Sequence, residues 1–149
     1  MTIDEILLAV QTAIITNIDG FTTNNCSTGD EAVFDYVQTN LPMQTKCCII
    51  DYAGFSNLGK SEFSSNMIGY RVSVNGFFII LNQEDYRDAL LEARKFVSDL
   101  IELASVDSTL GGSVLRLKIE SGTAPLLYRR VNYNYILISV SASIIDNVS

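Results

Sequence analysis

The chain has 149 residues, 48% of them hydrophobic and 18% charged, a length that suits a single domain over residues 1–149 and lets roughly two-thirds of the surface be buried without disulfides or metals. Its 10 Lys and Arg against 17 Asp and Glu leave a formal net charge of -7, which argues against a dedicated nucleic-acid binder. There is no His and no Trp; losing His removes the commonest general base and metal ligand, so composition favours a binding or structural protein over an enzyme.

The chain opens on Thr2-x-x-Glu5, a capping-box pattern. Ile3, Ile6, Leu7, Val10, Ala13 and Ile14 recur at helical spacing and predict an amphipathic helix over about 3–16, ended by Asn17 to Gly20. Residues 21–30 are polar and turn-rich, which predicts a surface loop with a short strand at Phe21. Asp30 to Gln38 reads as a short helix, stopped at Pro42. Lys46–Tyr52 is a short apolar run and the first firm strand. Two variable loops are expected, at about 21–45 and 53–65; the second holds Gly54, Asn57 and Gly59 and reads as a projecting segment.

Met67 to Leu81 is strand-rich, with Val72, Val74, Phe78 and Ile80 on one parity and Arg71 and Ser73 on the other. Asn75-Gly76 is a hairpin signal, but the alternation continues in phase across it, which favours one long strand. Asn82 is an expected N-cap, with Glu84 and Asp85 in the first turn. Tyr86, Ala89, Leu90, Ala93, Phe96, Val97, Leu100, Ile101 and Ala104 form a continuous stripe and predict a long helix over about 84–105. Asp107 to Gly112 is a turn, Val114–Glu120 a strand with one wet face, Ser121–Pro125 a turn, and Leu126–Ile145 a long final strand region. The expected fold is α+β: a two-layer sandwich, with a mostly antiparallel four- to five-stranded sheet and the long and N-terminal helices packed on one face.

Little in the sequence carries chemistry. No Gly-rich phosphate loop is present, and Gly111-Gly112 lies in helix-to-strand order, the reverse of phosphate-binding loops. Ser61, Ser64 and Ser65 near Lys60 read as a solvated loop rather than a Ser–Lys pair. Cys26, Cys47 and Cys48 are odd in number. Adjacent strand residues point to opposite faces, so they read as reduced, partly core-packed thiols, too few for a zinc site. That fits assembly in a reducing cytoplasm. No cofactor is expected. Met1-Thr2-Ile3-Asp4-Glu5 lacks the basic region of a secretory signal. The longest apolar runs fall short of the roughly 18 residues of a membrane span, so a soluble chain is expected.

Arg129-Arg130 beside Tyr128, Tyr133 and Tyr135 is a basic and aromatic cluster. It reads as an interface rim, as a strand start with snorkelling side chains, or less readily as a stacking surface for nucleic acid. With Arg71, these five are the candidate interface residues. The final strand is apolar on both parities over its middle: Ile136, Ile138, Val140 and Ile144 face one way, and Tyr133, Tyr135 and Leu137 the other. Such a second face needs cover from a helix or another subunit.

In order and length the chain resembles the tail terminator (tail-completion) proteins of long-tailed bacteriophages. The resemblance rests on the opening helix Ile3-Asp-Glu-Ile-Leu-Leu, the strand Cys47–Tyr52 after a Pro42-containing loop, and a variable loop leading into Tyr70-Arg-Val-Ser-Val. The helix Tyr86-Arg-Asp-Ala-Leu-Leu-Glu-Ala-Arg-Lys-Phe-Val-Ser-Asp-Leu-Ile, the turn Ser108-Thr-Leu-Gly-Gly-Ser-Val114 and a closing strand pair ending in Tyr135–Ile144 complete it. Residues 21–45 depart from the usual pattern, being longer and Asn/Thr-rich. The resemblance implies a non-enzymatic virion protein, assembled in the host cytoplasm into a hexameric ring at the top of the tail. Its partners would be further copies of itself, the tail tube protein, a head-closure or neck protein and, in a contractile tail, the sheath. DNA would pass through the lumen without being held, and no membrane is involved. Phe55, Asn57, Lys60 and Phe63 are the candidate contacts to the tube. The alternatives are a head-closure or head–tail adaptor ring and a non-viral small binding module.

Overall fold

The computed structural model describes residues 2–28, 46–59, 69–82, 86–114, 116–129 and 134–146. Its elements are α1 (Ile3–Asn17), β1 (Cys26–Ser27), β2 (Lys46–Gly59), β3 (Gly69–Asn82), α2 (Tyr86–Val106), β4 (Arg116–Gly122), β5 (Leu126–Arg129) and β6 (Asn134–Asp146). The fold is α+β; the described residues form two helices and a mixed six-stranded sheet in the order β1-β2-β3-β6-β4, β5 pairing with β6 beside β4. Among the described residues β1 alone runs parallel to its neighbour, β2; the other pairings are antiparallel.

The local reasons for α1 are those the sequence carries. The Thr2 hydroxyl accepts from the Glu5 backbone N–H at 3.2 Å, and the Glu5 carboxylate accepts from the Thr2 N–H at 2.8 Å. Ile6, Leu7 and Ile14 are buried. Ala89, Ala93, Phe96 and Leu100 of α2 join them in one core with Cys48 and Ile50 of β2, Val72, Val74 and Phe78 of β3, and Ile136, Ile138, Val140 and Ile144 of β6. Fully burying each large apolar side chain stabilises by roughly 1.5–3 kcal/mol relative to leaving it exposed. An aromatic trio sits at the centre. Phe78 and Phe96 stack at 4.4 Å between centroids, and Phe21 lies 5.4 Å from Phe96.

β3 runs unbroken through Asn75-Gly76, pairing Asn75 with Asp51 and Ser141, and Gly76 with Ile50 and Val140. The in-phase alternation therefore outweighs the local hairpin signal.

Several expectations need correction. Residues 53–59 are not loop: they continue β2. Two register shifts, between Tyr52 and Gly54 and between Asn57 and Gly59, absorb the glycine and asparagine signals while pairing with β3 persists. The final region is two strands rather than one, since Leu126–Arg129 pairs antiparallel with Asn134–Leu137. The reversal puts Leu127 opposite Ile136 and Tyr128 opposite Tyr135, sides that a continuous strand would exchange. The short strand forms at Cys26–Ser27, while Phe21 serves the core. β4 begins at Arg116 and keeps Ser121 and Gly122, where a turn was expected. The sheet has six strands, not four or five. Asn82 is the last residue of β3, and residues 83–85, where its expected role as N-cap would show, lie outside the described residues. The short helix at Asp30–Gln38, Pro42, Glu84, Asp85 and the remainder of the 53–65 segment lie outside the described residues.

Candidate functional site

Strand alternation gives the sheet a second face, opposite the one that packs on α1 and α2. Rows across the strands divide it into two halves. Cys47, Ile49, Ile79 and Tyr135 form a buried cluster with Phe77, Tyr128 and Leu137 packed against it. Tyr128 and Tyr135 stack within that half, 5.0 Å between centroids. Tyr135 is only 4% exposed within this one chain. The cover that the sequence reading expected from a helix or another subunit comes, at Tyr135, from the apolar neighbours of this cluster.

The other half is polar. Asn75, Ser141 and Ser121 share one row, Ser73, Ser143 and Lys118 the next, and Arg71, Ile145 and Arg116 the last. The Ser141 hydroxyl donates to Asn75 Oδ1 at 3.1 Å, and the Ser143 hydroxyl to Glu120 Oε1 at 2.6 Å. Lys118 Nζ stands 3.7 Å from Glu120 Oε2. The Ser143 hydrogen bond holds the Glu120 carboxyl below the usual range, and Lys118 and Arg71 add to it against the opposing effect of desolvation. Arg71, Arg116, Lys118, Glu120, Ser143 and Ile145 line a concavity of about 180 Å³.

The structure separates the candidate interface residues. Tyr128 and Tyr135 meet, but Tyr135 pairs with Leu81 and Arg71 with Ile145, so Arg71 lies roughly 33 Å away along β3 at about 3.3 Å per residue. Arg129 pairs through its backbone with Asn134. Arg130 and Tyr133 lie outside the described residues, as do Lys60 and Phe63. Phe55 and Asn57 sit on β2, opposite Val72 and Tyr70. Phe55 is 63% exposed and packs edge-on against Tyr70, 5.9 Å between centroids. Arg116, Lys118, Glu120 and Ser143 went unnoticed as a site. The signals were the wet parity of β4 and the alternating Ser139, Ser141 and Ser143 of β6, but only the β3-β6-β4 order joins them to Arg71.

The thiols are buried and free. Cys26 and Cys48 are partners across the β1–β2 pairing. Their mutual hydrogen bond draws Cys26 below the ordinary thiol value and, with burial, holds Cys48 well above it. Cys47 is pushed up to about 12, mainly by burial. Neither Cys47 nor Cys48 is thus a ready nucleophile near neutrality. Among the described residues no group of three or more His, Cys, Asp or Glu is placed to hold a metal ion. An apolar cavity of about 40 Å³, lined by Val10, Ile14, Ile50, Val74, Gly76 and Leu100 among others, lies between helices and sheet. Ligand pockets typically run to several hundred Å³. Among the described residues, no helix is long and apolar enough to cross a membrane. No protein-family model matches the chain, and comparison with curated proteins finds no significant match.

Proposed function

We propose that this chain is a structural assembly protein of a bacteriophage virion, a tail terminator whose copies form a ring at the top of the tail. The observation that carries this reading is the order of elements. An opening helix, the β2–β3 hairpin, the helix Tyr86–Val106 and closing strands follow one another in the order of features on which the sequence resemblance rests. In this reading the molecule is a two-layer sandwich with α2 as its long helix. The exposed Phe55 on the β2–β3 arm meets the tail tube, and the opposite side of the ring docks the head. The acidic balance of the chain leaves the lumen a poor surface for DNA, because like charges repel.

The test is charge reversal at the β5–β6 hairpin. Replacing Arg129 and Arg130 with Glu weakens ring or tail assembly, seen by electron microscopy, while circular dichroism stays unchanged. Normal assembly by the double variant would count against this hairpin as a contact.

A further inference from the structure

The polar half of the second face ends in a positive corner. Arg71 comes from β3 and Arg116 and Lys118 from β4, on either side of β6. In a chain with 10 Lys and Arg in all and a net charge of -7, three cations converge there. Glu120 offsets one unit of that charge: Ser143 and Lys118 hold it, and Arg71 also acts on it across the corner. Neither Arg71 nor Arg116 has an ion-pair partner among the described residues. Both are exposed.

The helix side carries the complement. Asp19, Asp99, Glu102 and Asp107 line a groove of about 300 Å³ between the end of α1 and the second half of α2. Lys95 is the cation among its lining residues, hydrogen-bonded to Asp99 at 2.8 Å. Asp99 raises the Lys95 pKa most, with Asp19 and Glu102 adding to it. Neither helix has a basic residue in its last turn, so the partial negative charges of both C-termini add to the carboxylates. Val106, 79% exposed, gives the groove an apolar rim.

These two surfaces lie on opposite faces of the sheet and cannot meet within one copy. They do lie toward the same end of the molecule, because the Leu117 N–H donates to the Ser108 carbonyl at 2.6 Å and so ties the turn after Asp107 to the strand bearing Arg116 and Lys118. We propose that the corner formed by Arg71, Arg116 and Lys118 docks into the acidic α1–α2 groove of a second copy of this chain. The contact joins two different patches, so it is head-to-tail and propagates from copy to copy. With both patches at one end, each step shifts copies little along the strands, the condition for closing a ring rather than climbing a filament. The inference rests on the assembly reading above and names its contact. It also removes the basic corner from the lumen.

The experiment is sedimentation velocity and native mass spectrometry on the full chain, at about 0.1 M and about 1 M salt, where the screening length falls from about 10 Å to about 3 Å. Oligomers form at the lower salt and weaken at the higher. The pair Arg71→Glu with Arg116→Glu weakens association about tenfold or more, as does Asp19→Lys with Glu102→Lys. Combining all four substitutions restores it. Oligomers indifferent to the substitutions, or no recovery in the combined variant, would overturn this contact while leaving the ring reading standing. A chain that stays monomeric under every condition would overturn both.

Discussion

Tyr128 and Tyr135 face each other across the β5–β6 pairing with their rings 5.0 Å apart and 10° from parallel. The stack fastens the short β5 to the long β6 on the face away from the helices. An aromatic pair contributes about 0.5–1.5 kcal/mol beyond its buried area. A double-mutant cycle with Tyr128→Ala and Tyr135→Ala, followed by urea unfolding, should return a coupling in that range. A coupling near zero would mean the rings only share a surface.

Phe96 is the keystone of the main core, stacked on Phe78 and close to Phe21. Phe96→Ala should cost about 3–5 kcal/mol. That is a large part of the roughly 5–15 kcal/mol that holds a domain together. A loss under about 1 kcal/mol in denaturant titration would show that the trio does not organise this core.

Two glycines should respond in opposite directions. Gly76 lies in the middle of β3, and a Cβ there would meet its nearest atom, the Val140 carbonyl oxygen, at 4.0 Å. Gly76→Ala removes a flexible residue from a strand and adds a methyl toward the apolar cavity, so it should stabilise by about 0.5–1 kcal/mol. Gly20 has φ +90° and its Cβ would fall 2.5 Å from Lys46 Nζ. That ammonium pairs with Glu92 at 3.0 Å and sits over the Phe21 ring. Gly20→Ala should cost about 1–2 kcal/mol. Melting curves of the two variants should shift apart, and a common direction would contradict the local geometry.

Alkaline pH should destabilise the fold through Cys47. Its folded-state pKa is pushed up to about 12 from an ordinary value of 9.0. Above about pH 9 the unfolded thiol loses its proton while the folded one keeps it, so the unfolded state binds fewer protons and stability falls as pH rises. At pH 10 the loss is about 1.4 kcal/mol from this group. Cys47→Ala should flatten the decline between pH 8 and 11 in urea titrations. An unchanged decline would place the pH sensitivity elsewhere.

The sequence was most legible where one element states its own period. The capping box at Thr2 and Glu5, the stripe from Ala89 to Leu100 and the unbroken phase through Asn75-Gly76 all answer to local geometry. It misled where glycine and asparagine in a bulged strand look like a loop, at Gly54 and Asn57, and where a hairpin exchanges the faces of apolar residues, at Leu127 and Tyr128. The charged corner was illegible for another reason. Arg71 and Arg116 stand 45 positions apart and become neighbours only because β6 lies between their strands.

The proposed tail-terminator role is tested most directly by electron cryomicroscopy of the virion proposed to hold this chain, at a resolution that traces it. The account predicts a closed ring of copies where the tail tube meets the neck, with the DNA path through its centre. Density for the chain elsewhere in the particle, or at that junction in a form that does not close, would contradict it.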